Sequence, residues 1–132
     1  MVSFNQLRPT VKADFRPTTR HEAAELSDFL GRMLQLHARS SLTPSHMEWK
    51  YWTPRADCTG PRSFTVRHDG IIVAHAATWP VRVRVPGETH SAVHVIDWAA
   101  DPEYPGVGVW IMTGPGPVAV TRGGRGRRRA PV

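Results

Sequence analysis

The sequence contains a single cysteine, Cys58, among its 132 residues. One thiol excludes an internal disulfide and a cysteine-rich zinc site. No stretch approaches the roughly 20 consecutive apolar residues that a membrane-spanning helix needs, and residues 1–15 lack the apolar run of a signal peptide. The Gly-x-Ser-x-Gly turn of serine hydrolases and the Gly-Lys-Ser/Thr loop of nucleotide-binding proteins are also absent. We therefore expect a soluble, cytoplasmic protein that does not bind membranes.

The net positive charge is small over most of the chain, although the formal net charge of the whole chain is +6. Five arginines between residues 122 and 129 supply most of it, so residues 1–120 carry only +1. A nucleic-acid-binding domain more often carries its charge on the folded body. Nucleic acid is thus an improbable partner except through this basic tail. Two Gly-Pro pairs in residues 113–132 interrupt any helix, and we expect the tail to be disordered.

The N-terminal half predicts a short strand over Val11–Arg16 and then a helix. Thr19, followed by Glu22 three residues later, is typical of a capping box, and the helix is predicted to run to about Leu36. Its apolar positions recur at helical spacing, which indicates one face packed on a sheet. That face consists of Leu26, Phe29, Leu30, Met33 and either Leu36 or His37.

A second helical segment is predicted from Thr43, which is a suitable N-cap before a proline at the first helical position. Large apolar side chains crowd the next eight residues. They are Met47, Trp49, Tyr51 and Trp52. Two interpretations stay open for this cluster, since it can pack into the core or line a substrate pocket.

Three strands follow as a predicted antiparallel meander. Ser63–Arg67 alternates as a strand, Asp69-Gly70 is a two-residue hairpin turn, and a long strand covers Ile71–Val85. The alternation predicts that Trp79, Val81, Val83 and Val85 face inward and that Arg82 and Arg84 face outward. Pro80 indicates a bend or an edge position. The last strand returns over Thr89–Ala100.

The most informative stretch runs from Val93 to Trp110. A buried strand ending at Ala100 leads to an Asp-Pro turn and then to the glycine-spaced loop Pro105-Gly-Val-Gly-Val, where a helix is expected to begin. Such a loop presents consecutive backbone N–H groups to an anionic ligand.

In this stretch, and in the hairpin before it, the sequence resembles the N-terminal half of the GNAT family of N-acetyltransferases. The resemblance covers about residues 11–112. It implies a partial GNAT-like α+β fold, with an antiparallel meander of three to four strands preceded by helices. We accordingly expect one domain over residues 1–112 and a tail over residues 113–132. The family's later helix and strands have no evident counterpart, which favours a truncated or degenerate member.

The resemblance also implies a donor substrate, acetyl-CoA, and the residues that bind it. The loop would hold the pyrophosphate, and the fourth strand would offer a backbone N–H to the acyl carbonyl. The implied residues are Trp98, Ala99, Ala100, Gly106, Val107, Gly108, Val109 and Trp110. Pro105 and Trp110 depart from the family's loop pattern, because a proline lacks an N–H and an indole replaces a small residue. The alternative is a purely structural turn.

Acyl transfer to an amine needs a base, and Asp97 is the carboxylate nearest the expected acyl group. Its alternative role is that of a polar group on the solvated face. His94 lies on the opposite strand face from Asp97 and forms no obvious dyad with it. The acceptor, a small-molecule amine, is expected to contact Trp49, Trp52 and Trp79. No metal site is expected, because His90 and His94 lie about 13 Å apart along a strand.

A second hypothesis is a non-catalytic interaction protein. If no fifth strand covers the Thr89–Ala100 strand, its edge is free to pair with another chain, including a second copy. The basic tail would then contact nucleic acid through the phosphates.

Overall fold

The computed structural model describes residues 13–35, 42–108 and 111. These residues form a four-stranded antiparallel sheet in the order β1-β2-β3-β4, which confirms the predicted meander. The strands are β1 Asp14–Pro17, β2 Ser63–His68, β3 Ile71–Val85 and β4 Glu88–Ala100. At the β2–β3 turn, Asp69 and Gly70 both have positive φ, as a type I′ hairpin requires.

Helical segments cover one face of the sheet. A 3₁₀ turn, Arg20–Glu22, leads into helix α1, Ala23–Met33, and the predicted capping box is present. In that box the Thr19 N–H donates to the Glu22 carboxylate at 2.6 Å. The helix ends at Met33, with Leu34 as its C-cap and Gln35 at a φ of +51°, so the predicted end near Leu36 was about three residues too late.

Helix α2, Pro44–Met47, begins as predicted with Thr43 as its N-cap, and it continues as a π-helical turn, Glu48–Trp52. The wider turn is visible in the Thr53 N–H, which donates to the Glu48 carbonyl five residues earlier at 2.8 Å. The sequence did not predict this π form. Within the turn, the neighbouring residues Lys50 and Tyr51 are both buried.

The sheet carries a hydrophobic cluster on each face. Helix α1, α2 and the π turn cover the first cluster, which confirms the predicted apolar face of α1. It contains Leu26, Phe29, Leu30, Met47, Tyr51, Ile72 and Ala99. The second cluster includes Val107 and Ile111, which are both helical, so the segment after β4 packs on the opposite face. Val66, Val73, Ala74 and Ala76 complete it.

A buried ion-pair cluster joins α1 to β2. The guanidinium of Arg67 donates to Glu25 at 2.7 Å and to Glu22 at 2.8 Å, and the Arg67 side chain is only 6% exposed. Hydrogen bonds to Glu25 and Glu22 raise the pKa of Arg67 further above its ordinary value. The cluster therefore holds the first turns of α1 against the sheet through charged contacts.

The far half of the β3–β4 hairpin extends beyond the rest of the sheet. Ser63, the first residue of β2, pairs with Ala77, and the Thr78 N–H donates to the Arg62 carbonyl at 2.8 Å. Beyond Thr78 the described pairings of β3 are with β4 only. The prediction that Val83 and Val85 face inward is wrong, since they are 43% and 41% exposed. Alternation alone cannot reveal that no second layer covers this end. Pro80, predicted at a bend or an edge, lies in this singly paired region.

The outer edge of β4 has no neighbouring strand among the described residues. The tail predicted over residues 113–132 and the N-terminal residues 1–12 lie outside the described part of the chain.

Candidate active site

Strand β4 carries a β-bulge where the sequence analysis placed the reaction. His75 pairs with Ala99 and Ala77 pairs with Ile96, so Asp97 and Trp98 together face one residue of β3. Asp97 has a φ of +50°, a left-handed conformation that is unusual for a residue other than glycine. A bulge of this kind interrupts the ladder and leaves a backbone group unpaired. The bulge lies next to Trp98–Ala100, the part of β4 in which a backbone N–H donor was expected.

The carboxylate of Asp97 is held by two neighbours from the π turn. Lys50 Nζ lies 2.8 Å from Asp97 Oδ2, and the Tyr51 hydroxyl donates to the same oxygen. The Lys50 side chain is 9% exposed and that of Asp97 is 23% exposed. Burial acts to raise the pKa of Asp97, but hydrogen bonds from Lys50 and Tyr51 outweigh it and keep the pKa below its ordinary value. Asp97 is thus a partnered anion and not a free carboxylate on a solvated face.

Tyr51 is the neutral donor in this group. Burial, together with the negative charge and hydrogen bonding of Asp97, raises the pKa of Tyr51 well above its ordinary value. Its hydroxyl consequently stays protonated at neutral pH and donates to the carboxylate. The sequence analysis assigned Tyr51 to an aromatic cluster without a separate role. Lys50 lies inside that apolar cluster, and a lysine in such a position indicates that a carboxylate packs against it.

His75, on the neighbouring strand β3, forms a hydrogen bond with the backbone of the bulge. Its Nδ1 lies 2.8 Å from the Asp97 carbonyl oxygen, and its Nε2 lies 2.8 Å from Ser63 Oγ. Because a carbonyl only accepts, Nδ1 carries the proton and Nε2 accepts from Ser63. Complete burial lowers the pKa of His75 to about 4, so the ring is neutral near pH 7. The sequence analysis did not identify this residue.

A chain of hydrogen bonds continues from His75 to the π turn. Ser63 Oγ accepts from Thr18 Oγ1 at 2.7 Å, and Thr18 Oγ1 accepts from Trp52 Nε1 at 3.0 Å. The indole of Trp52 is therefore connected through three buried side chains to the backbone of Asp97. These residues are far apart in sequence, so no local motif could predict the connection.

The glycine loop after β4 lies beside the bulge. The Asp101 N–H donates to the Val73 carbonyl at 2.8 Å, and the chain becomes helical at Val107 and Gly108. A Cβ on Gly108 would lie 2.9 Å from the Cβ of Ala100, so a larger residue there would force the loop and strand apart. This close approach gives a physical reason for glycine at position 108. The Trp98 indole N–H donates to the Gly108 carbonyl at 3.0 Å across the gap.

A pocket of about 280 Å³ lies between the end of β4 and this loop. Four predicted donor-binding residues line it together with the Asp-Pro turn, namely Trp98, Ala100, Gly106 and Gly108. Ala99 instead belongs to the core on the helical face, and the side chain of Val107 is fully buried. The Val107 N–H donates to the Tyr104 carbonyl at a distance of 3.4 Å. Val109 and Trp110 lie outside the described residues.

The three tryptophans predicted to contact the acceptor lie in two places. Trp49 packs on Trp79 with ring centroids 4.8 Å apart, and the Arg55 guanidinium lies 4.3 Å from the Trp79 centroid. Trp52 lines a separate pocket of about 440 Å³, to which Arg55 also contributes. Arg55 is therefore the contact that links the two groups.

The described part of the chain lacks two further features. Residues 13–35, 42–108 and 111 contain no group of three or more histidine, cysteine, aspartate or glutamate side chains placed to hold a metal ion. No helix in this part of the chain is long and apolar enough to cross a membrane.

Comparison with known proteins confirms the resemblance to the GNAT family. Residues 14–127 match the model of the acetyltransferase (GNAT) domain. The chain belongs to the GNAT acetyltransferase family. The matched range extends beyond residue 112, at which the domain was predicted to end.

A solved structure also has a fold similar to that of this GNAT chain. It is a conserved protein of unknown function from Enterococcus faecalis V583, described as a probable N-acyltransferase. The TM-score is 0.56 at 14% identity, and the similarity covers 74% of this chain but only 23% of the other one. It supports the fold alone. No curated protein matches the chain.

Proposed function

We propose that this GNAT chain transfers an acyl group from an acyl-CoA, with acetyl-CoA as the first choice, to the amine of a small molecule. The observation that carries the proposal is the placement of the β4 bulge directly beside the glycine loop, with a pocket between Trp98 and Gly108. The proposed compartment is the cytoplasm, where acyl-CoA is available and Cys58 would stay reduced.

In the proposed reaction the amine nitrogen bonds to the thioester carbonyl carbon. The carbon–sulfur bond then breaks, the amine loses a proton, and CoA leaves as a thiolate that takes up a proton. The N–H groups at the bulge would donate to the carbonyl oxygen as negative charge develops on it. The loop from Gly106 to Trp110 would contact the pyrophosphate of the donor.

Asp97 is the proposed base, acting directly or through water. Its lowered pKa keeps it ionised near neutral pH, although the contacts with Lys50 and Tyr51 make it a weaker proton acceptor. The neighbouring Tyr51 hydroxyl stays protonated and donates to this carboxylate, and its raised pKa makes it a weak acid. The proton that the leaving thiolate takes up would therefore come from solvent.

Calorimetric titration with acetyl-CoA tests the proposal. We expect saturable binding by the full chain and a loss of at least ten-fold in Gly108→Trp, whose side chain would fill the close contact with Ala100. Val83→Trp is the matched control, because it adds the same indole to the exposed end of the hairpin. Absence of binding by a chain that is folded by circular dichroism would refute the proposal.

A further inference from the structure

A second pocket, of about 440 Å³, lies between the π turn, the loop after it and the start of β2. Its volume is in the range of small-molecule sites. Tyr51, Trp52, Pro54 and Pro61 give it apolar walls. Arg55 and Arg62 also line it, whereas no aspartate or glutamate does. The lining is therefore cationic with an apolar surround.

Arg62 is buried without a carboxylate partner among the described residues, and its residue exposure is 3%. Its Nε donates to the Lys50 carbonyl at 3.2 Å and its Nη2 donates to the Thr53 carbonyl at 2.7 Å. These carbonyls end the π turn and offset part of the charge. Burial lowers the pKa of Arg62, and the charge of Arg55 acts in the same direction.

One edge of the Arg62 guanidinium stays available. In the part of the chain that the structure describes, Arg62 Nη1 has no hydrogen-bond partner. It is not one of the fully buried atoms that lack a partner, so it keeps some exposure to solvent. A buried arginine that lines a pocket and has free N–H groups matches the chemistry of an anion site.

Arg55 does not compete for the same ligand. Its Nε and Nη2 donate to the two carboxylate oxygens of Asp57, each at 2.8 Å, and its guanidinium also lies over Trp79. The charge of Arg55 is thus already paired. An anion that enters the pocket would find Arg62 as its unpaired cation.

We propose that this pocket binds the carboxylate of the acceptor on Arg62, so that the acceptor belongs to the class of small amines that also carry a carboxylate and an apolar group. The proposal of an acceptor rests on the proposed acyl transfer. Tyr51 connects the two regions, because it lines this pocket and also donates to Asp97 beside the bulge.

The anion specificity is tested on the unmodified full chain with a matched pair of probes, 3-phenylpropionate and 3-phenylpropanamide. They share a shape and differ in charge. In calorimetric titrations at pH 7 and low salt, we expect the acid to bind at least ten-fold more tightly than the amide. Equal binding of the pair, or no binding of the acid by the folded chain, would overturn the proposal. Inorganic phosphate is the third probe, and binding of phosphate without the acid would contradict a carboxylate site.

The role of Arg62 is tested with Arg62→Lys, which keeps the charge but loses the planar fork of donors. We expect at least a ten-fold loss of 3-phenylpropionate affinity, whereas Arg82→Lys on the exposed hairpin serves as the control and should not change it. If Arg62→Lys does not fold, the acid–amide comparison on the unmodified chain still decides the proposal.

The titrations distinguish a failure of the proposed anion pocket from a failure of the proposed acyl transfer. The probe titrations contain no CoA, and the acetyl-CoA titration contains no acid. Acid binding without acetyl-CoA binding would confirm the anion pocket and refute the proposed reaction. Acetyl-CoA binding without any preference for the acid would refute the pocket alone. A positive result in both leads to an acetylation assay with L-phenylalanine, for which L-phenylalaninamide is the control acceptor.

Discussion

His75 Nδ1 donates to the backbone carbonyl of Asp97 at 2.8 Å, across the sheet and at the point where β4 bulges. The bond to the carbonyl requires a proton on Nδ1, and the neutral ring accepts from Ser63 at Nε2. The buried ring thus joins the backbone of the bulge to β2, and its protonation would put a charge in a fully buried position.

This link predicts a pH-dependent stability. The pKa of His75 is about 4 in the folded chain, below the ordinary value of 6.5. Between these pH values the unfolded chain binds more protons, so the stabilisation is complete above about pH 6.5 and is lost as the pH falls toward 4. The loss amounts to about 3 kcal/mol over that window. Urea unfolding at a series of pH values measures it.

A matched pair of variants isolates the contribution of His75. His75→Gln removes the titrating ring and should flatten the pH profile between pH 6.5 and 4. His94→Gln replaces an exposed histidine on β4 and should leave the profile as it was. An unchanged slope in His75→Gln would show that other groups cause the pH dependence.

Asp97→Asn should both destabilise the chain and slow the proposed reaction. The substitution leaves the buried ammonium of Lys50 without its anion, which costs about 3 kcal/mol. It also removes the proposed base, so kcat should fall by about 100-fold or more. Urea unfolding and an acetylation assay measure the two effects. Asp57→Asn, at an exposed ion pair with Arg55, is the control and should change both quantities far less.

The ion-pair cluster at Arg67 predicts a large loss of stability. Arg67→Gln leaves Glu22 and Glu25 without their shared cation, and the free energy of unfolding should decrease by about 3 kcal/mol. The comparison is Arg32→Gln, which removes an exposed pair with Asp28 on α1 and should have little effect. Similar losses in the two variants would show that burial of the cluster contributes little. Urea denaturation of both chains measures the difference.

The outer edge of β4, which no strand among the described residues covers, predicts self-association. Val95 on this strand is 39% exposed, and an unpaired edge is a template for another strand. Val95→Lys should shift the sedimentation of concentrated protein toward the monomer, because the edge then carries a charge. Ile71→Lys changes an even more exposed apolar residue, which pairs with His68 of β2 and does not lie on β4, and it should not cause this shift. Monomeric sedimentation of the unmodified chain at all concentrations would contradict the prediction.

The local elements could be predicted from the sequence because short-range chemistry determines them. The capping box at Thr19 and the hairpin turn at Asp69-Gly70 each depend on residues within a few positions of each other. The bounds of β3 and the order of the meander follow from alternation and turn spacing. The resemblance of the β4 loop to the GNAT family predicted donor-binding residues, and four of them line the pocket between Trp98 and Gly108.

Only the tertiary structure decided which side chains meet. The exposure of Val83 and Val85 depends on where β2 ends, which no pattern within β3 encodes. The contact of Lys50 with Asp97 joins positions 47 residues apart, and its hydrogen bond helps to keep the pKa of the carboxylate below its ordinary value against the effect of burial. Hydrogen bonds and charges act over a few ångströms of space. The sequence by itself therefore determined the local elements and the family of this chain. Packing decided the partners of Asp97 and the neutrality of His75. It also left Arg62 Nη1 without a partner among the described residues.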